Sequence, residues 1–244
     1  YREKVAIING LIAERYADHP AMGGWHISNE YSGACYCESC LNRFHQWLER
    51  KYGSIDELNK RCWTDFWSHR YTAFDEVDPR DFSIDSLRVD WMRYNTWILC
   101  EFYKFEVETV RQYSDAPATT NMMGFHPEID YNRVAEVVDF VADDSYPVFK
   151  EPEDETVVLS AMAMTHSLHR SQKQKPWLLM ESSPSIQNWN QFSHLKRPGV
   201  HMLQMFQAIA HGAEGTLYFQ WRKGKGGCEK FHGAVVDHEG SPNN

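Results

Sequence analysis

Short apolar runs that end in polar or acidic residues alternate with longer amphipathic stretches along most of this 244-residue chain. The runs at 22–27, 118–123, 140–144, 177–180 and 215–220 read as strands. The stretches at 41–52, 55–60, 86–113, 134–138, 156–169 and 200–211 carry the helical period, and Ser54-x-x-Glu57 is a capping box for the second of them. Such alternation calls for a parallel sheet with helical crossovers, because parallel neighbours cannot be joined by a tight turn. An open doubly wound sheet and a closed (β/α)8 TIM barrel both satisfy it. The polar residues tilt the choice to the barrel. Asn29-Glu30 follow the first run, Asn121 lies in the second, Asp143-Asp144-Ser145-Tyr146 close the third, and Glu181 follows the fourth. In a barrel the C-terminal ends of successive strands converge on one mouth. Five strand–helix segments amount to five-eighths of one.

Several partners are excluded by composition. With 34 acidic and 25 basic residues the chain has a net charge of −9 and no basic stripe, so it lacks the footprint that nucleic acid requires. The longest apolar stretch, 157–164, is interrupted by Ser160 and falls short of the roughly 18 residues of a membrane span. Three of the six cysteines crowd into Cys35-x-Cys37-x-x-Cys40 and three are scattered, which is no disulfide framework and favours a reducing, cytoplasmic setting. The chain opens at Tyr1 inside an apolar helical pattern (Val5, Ile8, Leu11, Ile12, Tyr16), and is expected to be a fragment that starts mid-domain.

Glu30 and Glu181 carry the sharpest chemical reading. Either alone is most simply a strand-end charge in a surface ion pair. Two in matching positions, facing one pocket, can cleave a glycosidic bond, one protonating the leaving oxygen while the other attacks or activates water. Nine tryptophans agree with a sugar ligand, whose C–H faces stack on indole. Trp25, Trp189 and Trp221 flank the polar strand ends, whereas Trp47, Trp91 and Trp97 sit on helical patterns as core residues. Cys35, Cys37 and Cys40 can take three corners of a tetrahedral zinc site, a structural one by its all-thiolate character. Glu229 and His232, three apart after the last run, can grip vicinal hydroxyls. His166 and His169 read as a solvated pair, and 151–155 as an acidic surface loop. No HExxH, G-x-S-x-G or dinucleotide fingerprint occurs, so no organic cofactor is expected.

Longer motifs then match a family. Trp25-His26-Ile27-Ser28-Asn29-Glu30-Tyr31, the Cys35–Cys40 cluster, Phe44-x-x-Trp47-Leu48-x-x-Lys51-Tyr52-Gly53-Ser54-Ile55 and Phe66-Trp67-Ser68 closely resemble glycoside hydrolase family 42, the β-galactosidases. The likeness runs on, in order, through Thr120-Asn121-Met122-Met123-Gly124, Asp144-Ser145-Tyr146-Pro147, Leu179-Met180-Glu181, Asn188-Trp189 and Phe231-His232-Gly233-Ala234-Val235-Val236-Asp237-His238.

The resemblance implies a retaining β-galactosidase on a (β/α)8 barrel, with Glu30 as acid/base and Glu181 as nucleophile. It implies that Asn29, Trp189, Glu229 and His232 hold the galactosyl unit and that Cys35, Cys37 and Cys40 are three ligands of a structural zinc. Residues 1–244 would then cover about strands four to eight. The first strands, with a fourth cysteine and a sugar-contacting arginine, and the trimerisation and β-sandwich domains of the full-length homotrimer would lie outside. The chain by itself is expected to be poorly stable or inactive, with exposed sheet edges. A non-catalytic galactoside-binding or scaffold protein built on the same barrel is the alternative.

Overall fold

Parallel pairing in strict chain order organises the β-structure of the computed structural model, which describes residues 1–81, 83–149, 154–189, 191–192 and 194–242. Strand β1 (Trp25–His26) pairs with β2 (Ala118–Thr119); β3 (Asn121–Met122), β4 (Ala142–Ser145), β5 (Trp177–Ser182) and β6 (Ala213–Thr216) form a second sheet in that order. Only Thr120 separates β2 from β3. Five extended segments therefore follow one another without the order reversal of a doubly wound sheet. The architecture is α/β with parallel sheets, and among the described residues the sheets do not close into a barrel.

The helices are α1 (Arg2–Tyr16), α2 (Glu38–Tyr52), α3 (Ile55–Cys62), α4 (Asp85–Val110), α5 (Tyr131–Val137), α6 (Glu155–Lys173) and α7 (Val200–Ala210). Ser54 Oγ accepts the Glu57 N–H at 3.2 Å, as the capping motif requires. The run at 215–220 is regular strand only as far as Thr216. Its pairing nevertheless continues through Leu217 N to Leu179 O at 2.8 Å and Phe219 N to Ser182 O at 3.0 Å. Among the described residues no helix is long and apolar enough to cross a membrane.

The chain divides into two compact units, Tyr1–Tyr31 with Glu106–His126 and Ala135–Asn244, and Ser32–Phe105 with Pro127–Val134. The first holds all six strands. On α6 the buried face carries Met162, Thr165, His166 and His169, so the two histidines are not the solvated pair that their polarity indicated. They share one side of a helical turn, and both rings pack on Trp177, with centroids 4.8 and 5.9 Å away. Burial drives His166 down to about 4, leaving it neutral. Burial also opposes charge on His169, but Asp143, whose Oδ1 lies 2.9 Å from its Nε2, outweighs that and raises it.

The second unit is built on an aromatic core. Phe44, Leu48 and Tyr52 recur every fourth residue on α2 and pack with Leu58, Val77, Ile84, Leu87, Trp91 and Tyr94. The Phe44 ring meets Trp91 edge-on at 4.9 Å, and the Tyr52 hydroxyl donates to buried Asp90 at 2.6 Å. Trp47 packs against this core, whereas Trp97, expected inside it, is 39% exposed. Trp25 also departs from expectation: it is buried within β1, its indole N–H donating to Ser114 at 3.0 Å. Trp221 stays exposed. Of the acidic loop, Glu151, Pro152 and Glu153 lie outside the described residues, and Glu155 pairs with Arg197.

Candidate active site

The site grows out of the ends of β1, β3, β4 and β5. Past β1 the chain turns through Ser28 and Glu30, both in the left-handed region, with φ of 53° and 41°. A non-glycine residue holds that conformation only where its surroundings over-determine it. One anchor is Asn121, whose Oδ1 accepts the Glu30 N–H at 2.7 Å. Its Nδ2 donates to Asn29 Oδ1 at 2.9 Å and to Asp144 Oδ2, so a single buried amide ties three strand ends together.

Asp144 and Glu181 sit side by side in the β4–β5 register, which shifts between Asp143 and Asp144. The two aspartates part company there. Asp143 accepts Gly124 N–H at 2.8 Å and pairs with His169, while Asp144 joins the strand-end carboxyls. Oxygens of Glu30, Asp144 and Glu181 all lie within 4.8 Å of one another. Crowding and desolvation decide which can ionise. Burial, then the charge of Glu181 and the Glu30 carboxyl beside it, push Asp144 up to about 9, so it is a neutral acid at pH 7. Burial also raises Glu181, while the hydroxyl of Tyr146, which donates to its Oε2 at 2.7 Å, favours its ionised form.

An aromatic wall adjoins these carboxyls. The half-exposed Trp189 ring stands edge-on to Tyr146 at 4.9 Å and tilts over His232 at 4.8 Å. His232 is fully buried, with Nδ1 3.3 Å from Asn188 Oδ1, and burial keeps its imidazole below the usual range. Glu229 is exposed on the turn that closes on His232, where its carbonyl accepts the His232 N–H at 3.0 Å, and its charge reaches Glu181. Glu30, Glu181, Asn29, Trp189, Glu229 and His232 thus gather in one unit, with carboxyls, donors and an apolar ring face suited to a polyhydroxylated ring.

Comparison with known proteins decides the family. The family 42 glycoside hydrolase model, described as beta-galactosidase, matches residues 1–244. The chain belongs to glycoside hydrolase family 42. It is 49% identical over 250 residues to beta-galactosidase BglY of Alicyclobacillus acidocaldarius, covering 100% of this chain and 36% of that protein. With beta-galactosidase GanA of Bacillus subtilis it shares 42% over 257 residues, 100% of this chain and 38% of that protein. Among solved structures, the cold-adapted beta-galactosidase from Rahnella sp. R3 superposes with a TM-score of 0.96 at 47% identity, over 100% of this chain and 37% of that one. A catalytic mutant of Gan42B, a family 42 beta-galactosidase from G. stearothermophilus, gives 0.93 at 42%, over 100% of this chain and 38% of that one. The chain spans little more than a third of the length of these relatives.

The thiol cluster of this family 42 chain lies in the other unit. Sulfurs of Cys35, Cys37 and Cys40 are within 4.8 Å of one another, near the roughly 3.8 Å that tetrahedral zinc with about 2.3 Å bonds demands. Cys37 caps α2, and the backbone N–H of Cys40 lowers its thiol. Burial and the two neighbouring thiols push Cys40 up to about 12. Three thiols in this state fit a cation, which would draw all of them to thiolate; no fourth Cys, His or carboxylate joins them among the described residues.

Sequence reasoning gave Asn121, Asp144 and Tyr146 no role, though it noted their polar strand-end positions. Their signal is positional: Asp144 and Tyr146 lie at and just past the end of β4, and Asn121 near the end of the extended run 118–122, as the proposed catalytic glutamates lie at the ends of theirs.

Two outcomes follow for the family 42 fold. Asp144 binds a proton more tightly folded than unfolded, so between pH about 4 and 9 its share of stability falls as pH rises. Asp144→Asn, a permanent mimic of the neutral acid, should unfold at temperatures that decline less between pH 5 and 8 than the parent's. Tyr146→Phe removes a donor that favours the ionised form of Glu181, and carboxyl NMR should find Glu181 titrating higher than in the parent.

Proposed function

We propose that this chain is the larger part of the catalytic domain of a retaining β-galactosidase, acting on terminal non-reducing β-D-galactosyl residues by double displacement. The observation that carries the reading is the closeness of Glu30 and Glu181, one oxygen of each lying within 4.8 Å of the other. Retaining enzymes hold their carboxyls about 5–5.5 Å apart, whereas inverting ones leave about 6.5–9.5 Å for a water molecule.

Glu181, ionised and steadied by Tyr146, attacks the anomeric carbon while Glu30 protonates the leaving oxygen. Once the covalent galactosyl-enzyme has formed, the charge on Glu181 is gone and Glu30 acts as base toward water. Neutral Asp144 keeps a second negative charge from the three carboxyls through both steps. Asn29 and Glu229 supply polar contacts to the sugar, His232 a neutral ring donor, and Trp189 a face for its C–H bonds.

On this reading the described strands are the fourth to eighth of a (β/α)8 barrel, and residues 1–244 form one partial catalytic domain, with the first strands and the trimerisation and β-sandwich domains elsewhere in the full-length protein. Apolar side chains left exposed on α1 (Ile8, Leu11, Ile12) and α7 (Met202, Leu203, Phe206) support it, because such faces ordinarily meet further structure. Zinc on Cys35, Cys37 and Cys40 would close the segment before α2 and take no part in the reaction. The homotrimer rests on family resemblance alone, and a cytoplasmic location is supported by cysteine spacing that makes no disulfide framework.

In the full-length protein, Glu181→Ala should abolish turnover of β-galactosides, and azide should restore part of it with an inverted α-galactosyl azide as product. Rescue of Glu30→Ala by azide should instead give the retained β-azide; the opposite stereochemistry reverses the two roles. Elemental analysis should find zinc in the full-length protein, and Cys37→Ser should lose it together with thermal stability while the steady-state KM holds.

A further inference from the structure

Behind the loop that carries Glu30 lies a carboxylate with no part in the mechanism above. Glu106, on α4, is 4% exposed, and no cationic side chain pairs with it among the described residues. Its oxygens accept instead from neutral donors. Asn9 Nδ2 reaches Oε1 at 3.2 Å, the Ser28 hydroxyl lies 3.1 Å from Oε1 and 3.0 Å from Oε2, and the Tyr31 hydroxyl donates to Oε2. Ser28 and Tyr31 bracket Asn29-Glu30. Within that stretch Ser28 and Glu30 both have positive φ, a conformation their own backbone preferences resist. The Asn121 side chain holds the Glu30 N–H and the Asn29 side chain from the strand side, but it does not reach Ser28 or the Tyr31 hydroxyl, which Glu106 gathers.

We propose that Glu106 is a positioning residue, whose buried carboxylate gathers the Ser28 and Tyr31 hydroxyls and thereby holds Glu30 in the strained backbone conformation that aims it at the leaving-group oxygen. The inference rests on the acid/base role of Glu30 and extends it to a residue that touches no substrate. A carboxylate suits the task because it has no proton to donate and accepts from several hydroxyls at once; an amide of the same shape must turn a donor toward one of them. Aim matters here because proton transfer needs hydrogen-bond reach, so a loop displaced by about an ångström loses acid catalysis on the order of 100-fold while the rest of the pocket still binds.

The test exploits leaving groups. A dinitrophenyl β-galactoside departs without a proton, whereas methyl β-galactoside needs one. In the full-length protein, Glu106→Gln should lower kcat/KM for the methyl glycoside by about 10-fold or more and for the dinitrophenyl glycoside by no more than about 3-fold. Azide should raise its kcat on the dinitrophenyl substrate, where the galactosyl-enzyme waits for a base. Tyr31→Phe, which removes one donor and leaves α4 intact, should show the same pattern more weakly and decides the matter if Glu106→Gln does not fold. Equal losses on both substrates, the mark of a merely structural role, or no loss on either, overturn the inference. Glu30→Ala is measured beside them: selectivity there without selectivity in the Glu106 and Tyr31 variants refutes positioning alone, and its absence from Glu30→Ala refutes the acid/base assignment and the inference with it.

Discussion

Three carboxyl groups in a partly desolvated cleft, one oxygen of each within 4.8 Å of the others, cannot all be charged. Two unit charges at that range repel by roughly 3 kcal/mol at an effective dielectric constant of about 20, before any loss of hydration is counted. The protein resolves the conflict by giving each carboxyl a different environment. Asp144 is the most deeply set and keeps its proton; Glu181 has a phenol donating to it; Glu30 is held through its backbone. Unequal surroundings for chemically similar groups are what a two-carboxylate mechanism needs, since one group must donate a proton while the other attacks.

That arrangement depends on parallel pairing in chain order. Each strand delivers its last residues to the same side of the sheet, so Glu30, Asn121, Asp144 and Glu181 become neighbours although up to 151 positions separate them in sequence. The β4–β5 register shift then separates two consecutive aspartates into different jobs. Asp143 binds His169 and the Gly124 N–H within the helix–sheet layer, and Asp144 faces the other carboxyls. Alternation along a strand makes this division available to any acidic pair placed there. The other unit is stabilised by different means, an aromatic core in which α2 supplies one residue per turn, with the cysteine cluster at the head of the same helix.

Much of this was legible in the residues themselves. Helix and strand segments follow from periodicity, and most fall within a few residues of their expected limits because local hydrogen bonding and burial act over the same short range. The two glutamates, Trp189 and His232 of the proposed site, and the thiol cluster all belong to motifs that residue type and order single out in the sequence. The failures have a common form. His166 and His169 are polar and read as solvated, but an imidazole can be buried where Trp177 packs on it and, for His169, where Asp143 pairs with its Nε2. Trp25 was placed beside the strand ends, yet strand alternation turns its indole into the core toward Ser114.

The sequence by itself determined the family, the parallel α/β plan and the residues proposed for the chemistry, since these depend on residue type, spacing and short-range pattern. Tertiary structure alone decided which groups share one electrostatic environment. That Asp144 remains neutral beside Glu181, and that Glu106 reaches back across 78 positions to Ser28, are consequences of distance and desolvation, which no linear spacing contains.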